Sequence, residues 1–113
     1  MDNLTETYET LSSAVRSALG TRGFKVAEEH HHTHAKGSRY ILLTSDDQAV
    51  CLSWDGENAS FQLECCQRTD DAGLGVWEMI CREHFDPLIH GSERTQAIVD
   101  AISTTLATKI AAH

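Results

Sequence analysis

Hydrophobic residues recur with two different periods along this chain, and the change of period marks its elements. Leu4, Tyr8, Leu11, Val15, Ala18 and Leu19 fall on one face at helical spacing. Asn3 stands where a cap belongs, Glu6 three positions on suits a capping box, and Arg16 suits the C-terminal end of the helix dipole. Gly20 is the expected stop. A second helical stripe of Ile98, Val99, Ile102, Leu106 and Ile110 follows Ser92 as cap and Glu93 in the first turn. At about twenty residues this helix would span roughly 30 Å, enough to cross a sheet.

From Phe24 the period falls to two. Val50, Leu52 and Trp54 alternate with Ala49, Cys51 and Ser53. A turn over Asp55-Gly56-Glu57-Asn58, with its φ-permissive glycine, predicts Leu52 opposite Phe61 and Val50 opposite Leu63. A turn over Ser45-Asp46-Asp47-Gln48 predicts Leu43 opposite Val50 and Ile41 opposite Leu52. Three antiparallel strands, near 39–44, 49–54 and 59–66, thereby share one apolar face. Their other face carries Tyr40, Leu42, Thr44, Cys51, Ser53, Gln62 and Glu64, and no helix is expected over it. A fourth strand, near 24–32, joins as an edge through a turn at 35–38, its register loosely defined because no apolar face continues from Glu28.

The stretch from Gly73 to Phe85 fits two periods. Trp77, Ile80, Cys81, His84 and Phe85 make a helical stripe, while Trp77, Met79, Cys81 and Phe85 alternate as on a strand. A short helix ending before Asp86-Pro87 is the preferred reading and a fifth strand the alternative. The fold class is α+β: two layers, an antiparallel sheet of four strands or five, with N- and C-terminal helices packed on one face. One α+β domain over residues 1–113 suits the length.

Composition narrows the function. Apolar residues make up 41% of the chain and aromatics 6%, so the core must rest on aliphatic side chains, with Trp54 and Trp77 as anchors. No segment approaches the roughly 20 apolar residues of a spanning helix. The start, Met1-Asp2-Asn3-Leu4-Thr5-Glu6, has neither signal nor transit character, so a cytoplasmic location is expected. A net charge of −8 disfavours nucleic acid and anionic membrane and would attract a basic protein. Cys51, Cys65, Cys66 and Cys81 lack C-x-x-C spacing and are expected to be reduced.

The most unusual local run is Glu28-Glu29-His30-His31-His32-Thr33-His34. On a strand Glu28, His30, His32 and His34 project to one side, a set that suits Zn²⁺, Ni²⁺ or Cu²⁺. A solvated polar arm without cofactor explains the same run and is the favoured expectation. Cys81 and His84 would share a helix face as nucleophile and base or as two metal ligands, although Cys81 in the core stripe accounts for the spacing as well. No G-x-S-x-G, G-x-x-x-x-G-K-S/T, H-E-x-x-H or G-x-G-x-x-G occurs, and the basic residues are scattered.

These features point to a small acidic, non-enzymatic protein-binding domain: a chaperone, inhibitor or immunity-type partner of a basic protein. Its architecture and charge are similar to those of secretion chaperones and immunity proteins, an analogy of form that no motif carries. Tyr40, Leu42, Thr44, Cys51 and Ser53 are the candidate contact residues, for such a partner or for a homodimer. The alternatives are a metal-binding or metal-sensing domain through the histidine run and a small Cys/His-dependent enzyme. The histidines of the 30–34 run, set against a charge of −8, predict a shift in association state or partner affinity between about pH 7.5 and 5.5. Sedimentation and binding measured at both pH values check this, and identical behaviour would remove it.

Overall fold

The computed structural model describes residues 3–31, 39–67 and 76–110. Helix α1 (Asn3–Gly20) precedes strands β1 (Lys25–His31), β2 (Arg39–Thr44), β3 (Gln48–Asp55), β4 (Ser60–Gln67) and β5 (Glu78–His84), and helix α2 (Ser92–Lys109) ends the order. The strands form one antiparallel meander in the sequence order β1-β2-β3-β4-β5. Both helices pack on one face of it, as expected of this α+β fold. No helix among the described residues is long and apolar enough to cross a membrane.

Alternation decides which face is covered. Ile41 pairs with Leu52 and Leu43 with Val50, in the predicted register. The turn between them is held by the Ser45 N–H donating to the Gln48 carbonyl (2.9 Å) and by the Gln48 N–H donating to Ser45 Oγ (3.2 Å). At the next hairpin the pairing is shifted by two residues from the expected one. Leu52 faces Leu63 and Trp54 faces Phe61, because Asp55 pairs with Ser60 and the loop extends to Ala59. Ala59, not Gly56, carries the positive φ there, at 49°. The Asp55 carboxylate holds this loop by accepting from the Glu57 N–H (3.0 Å), the Asn58 N–H (3.3 Å) and Asn58 Nδ2 (2.6 Å). A slip of two preserves the faces, so the core is unaffected.

That core joins Ile41, Leu43, Val50, Leu52, Trp54, Phe61 and Leu63 to Tyr8, Leu11, Val15 and Leu19 of α1 and to Ile98, Ile102 and Leu106 of α2. The two helices run parallel. Thr7 Oγ1 lies 2.8 Å from Thr95 Oγ1 at their N-terminal ends. At the opposite ends Arg22 Nη1 donates to the Leu106 carbonyl (2.9 Å) and the Ile110 carbonyl (2.8 Å). Side-by-side parallel dipoles repel, and the Arg22 guanidinium on the α2 carbonyls offsets this, as do Glu6 and Glu93 in the two first turns.

Three sequence expectations are corrected. Residues 78–84 are not a short helix but strand β5, which pairs along β4 from Ser60↔His84 to Cys65↔Glu78. A bulge at Ile80 breaks the alternation, so Leu63 faces Cys81 while Glu64 faces Met79. Ile80 and Cys81 both pack against the core as a result, and two inward neighbours in succession look like a helical stripe. The caps also differ. Asn3 is already helical, and Gly91, extended at φ −123° and ψ −155°, takes the N-cap of α2 in place of Ser92.

The helix stop is Gly23 rather than Gly20. Phe24 N–H donates to the Leu19 carbonyl (3.1 Å) and Gly23 N–H to the Gly20 carbonyl (3.4 Å), with Gly23 at φ 85°. This is a Schellman ending, and its apolar pair, Leu19 and Phe24, is buried. Added methyl groups would meet nothing within 4 Å at either glycine, so backbone conformation alone sets the cost. Gly23→Ala is expected to lose about 1 kcal/mol, whereas Gly20→Ala should gain about 0.5–1 kcal/mol as an alanine inside a helix. Urea melts of the two variants check the pair, and equal effects would contradict this ending.

Candidate functional site

Side chains on the sheet face opposite the two helices stand in cross-strand rows. One row runs His30, Tyr40, Ser53, Gln62, Arg82; the next runs Glu28, Leu42, Cys51, Glu64, Met79. The candidate contact residues Tyr40, Leu42, Cys51 and Ser53 are therefore adjacent, two on β2 and two on β3. Thr44 belongs to a third row beside Ala49 and Cys66, both buried.

An open cavity of about 300 Å³ lies over this face, lined by Tyr40, Leu42, Cys51, Ser53, Glu64 and Trp77. Trp77, expected as a core anchor, stands here instead; Trp54 alone of the two is in the core. It reaches the face because it directly precedes β5. Glu64 follows from the observed register, in which it stands opposite Cys51, two residues from the expected pairing.

Two contacts hold Tyr40 in place. Its hydroxyl donates to Glu28 Oε1 at 2.6 Å, and the His30 ring stacks on it at 5.4 Å between centroids. The hydrogen bond to the Glu28 carboxylate, more than anything else, raises the phenol's pKa. Burial, followed by the Glu64 and Glu28 carboxylates, pushes the Cys51 thiol from its ordinary value near 9 up to about 11. The Cys51 thiol at the pocket is thus held in its neutral form. Among the described residues the lining is mostly apolar, with the Glu64 carboxylate beside it. No ion pair or hydrogen bond of Glu64 is found among the described residues.

The other candidate groups are dispersed. Glu28 and His30 do project to this same face, but His32 and His34 lie outside the described residues. Among the described residues no three His, Cys, Asp or Glu side chains are grouped to hold a metal. Cys81 and His84 are not brought together, because on a strand rather than a helix they face opposite sides. Cys81 is set against the core and Thr105 of α2, and burial raises its thiol pKa; His84 stands opposite Ser60 and stacks edge-on against His90. All four cysteines are free thiols.

Comparison with protein-family models, curated proteins and solved structures finds no match to this chain.

At pH 7.5 Cys51 is expected to react with iodoacetamide at least about tenfold more slowly than an unperturbed thiol, with its rate climbing toward pH 11. Glu64→Gln removes a negative neighbour and should move the profile to lower pH, though not below the ordinary value, because burial is the larger cause. The folded pKa exceeds the unfolded one, so the stabilisation linked to Cys51 is complete below about pH 9 and lost as pH rises through about 11. Peptide-resolved mass spectrometry reads the rates. A Cys51 that alkylates at pH 7.5 as fast as in the urea-unfolded chain would contradict the assignment.

Proposed function

We propose that this chain is a non-enzymatic protein-binding domain that docks its partner on the uncovered sheet face, around Tyr40, Leu42, Cys51 and Ser53, with Thr44 at the margin. The observation that carries this reading is the apolar-walled cavity of about 300 Å³ among those side chains, on the one sheet face that neither helix covers. Its dimensions suit an inserted side chain of another protein, and a Tyr and a Trp in the wall are residue types that anchor interfaces. Burial pushes the Cys51, Cys65 and Cys81 thiols up, which keeps these three in their neutral form. A chaperone, inhibitor or immunity-type partner fits these properties, and the charge of −8 favours a basic client.

Leu42→Asp puts a carboxylate into the apolar wall and should weaken capture of a partner by at least about tenfold. Leu42 is partly exposed, so the melting midpoint should fall by only a few degrees. Ser103→Asp, on the exposed side of α2, should leave capture intact. Host lysate passed over the immobilised parent and both variants, with retained proteins quantified by mass spectrometry, makes the comparison. Light scattering of the same proteins shows whether the parent is a dimer that Leu42→Asp dissociates, in which case a second copy occupies the face. Retention and size unaffected by Leu42→Asp would refute the docking face.

A further inference from the structure

The pocket's chemistry selects among occupants more narrowly than its apolar walls do. Two aromatic rings, Trp77 and Tyr40, the apolar side chains of Leu42 and Cys51, and the Glu64 carboxylate line it together. Long basic side chains combine those needs. Their methylene stem packs on apolar surface, and their head sits between a ring and a carboxylate. Arginine does so better than lysine, because its planar guanidinium stacks on rings while bonding to a carboxylate with its fork of N–H donors.

We infer that the pocket takes the side chain of an arginine, or less favourably a lysine, from a basic segment of the partner protein, with its head group on Glu64. This deepens the protein-binding reading above and rests on it. Charge complementarity is the argument for this occupant. Glu64 has no cation of its own among the described residues, Glu28 closes the other end of the same row, and the whole chain carries −8. Arg82, the cation on the neighbouring row, is directed to Ser60, with its Nε 3.4 Å from the Ser60 hydroxyl. The Glu28 hydrogen bond and the His30 stack fix Tyr40 before anything binds, so little side-chain ordering remains to be done on association.

The probes are two acetylated, amidated pentapeptides, Gly-Leu-Arg-Leu-Gly and the same peptide with citrulline for arginine. Citrulline keeps the shape of arginine and removes its charge. Titration of the full chain, followed by the Leu42 and Cys51 amides and the Trp77 indole in NMR spectra, gives both affinities. The arginine peptide should bind about fivefold tighter than the citrulline one or better, and added salt should shrink the difference. Glu64→Gln should make the two peptides bind alike, and Trp77→Leu should weaken both. Equal binding of the two peptides to the parent, no binding of either, or a preference that survives Glu64→Gln would overturn the inference. A capture that depends on Leu42 without any arginine preference would overturn the cationic occupant alone and leave the docking face standing.

Discussion

Seven side chains on the inward face of β2, β3 and β4, from Ile41 to Leu63, are buried almost completely, and covering them governs the rest of the molecule. Each such burial contributes about 1.5–3 kcal/mol. A half-exposed ion pair such as Arg16 with Glu29 contributes about 0–1 kcal/mol, so the apolar face wins over surface charge in setting the architecture. Five strands about 4.8 Å apart make a face some 20 Å wide, and two helices about 10 Å apart cover that width once. Both are used on the same side. Each helix enters from a different end of the chain, and each starts at the same end of the sheet. The resulting parallel pair needs its like dipole ends offset, which explains why Arg22, just beyond α1, spends its donors on carbonyls of α2.

The sequence made that face readable because alternation survives any even slip of register. Predicting Leu52 opposite Phe61 when it stands opposite Leu63 still placed both inward. What was not readable depended on contacts remote in the chain. Residues 78–84 carry helix-forming side chains, and only the unpaired edge of β4 makes them a strand; the bulge at Ile80 then disguises the strand as a helical stripe. Gly20 and Gly23 both suit a helix ending, and the choice was made by the buried pair Leu19 and Phe24, which belongs to tertiary packing. Of the site, Tyr40, Leu42, Cys51 and Ser53 were visible from alternation alone. Glu64 required the correct hairpin register. Trp77 required knowing that β5 exists, since an aromatic residue before an edge strand can turn to either face.

The uncovered face is mixed for a reason that follows from the same geometry. A sheet with helices on one side needs no apolar side chains on its other face, where polar residues would suffice for solubility. Leu42, Met79 and the rings of Tyr40 and Trp77 exceed that requirement, with Met79 45% exposed and directly opposite Glu64. Such side chains on the open side of a sheet gain nothing for the core. They gain burial only when something else covers them, as the proposed partner would.

In the proposed complex, Glu64 would decide what the covering group can be. In the open pocket, water solvates its carboxylate, and the cost of placing it beside Cys51 and Met79 is small. Once an occupant displaces that water the carboxylate is left in a poorer dielectric, and the cost becomes several times larger unless a cation meets it. An apolar side chain of equal size would fill the same space, yet it would leave the charge stranded. With the proposed arginine occupant, the pocket would discriminate mainly by what it penalises, neutral and acidic side chains alike. The net charge of −8 would act in the same direction at longer range, attracting a basic segment of the proposed partner before contact.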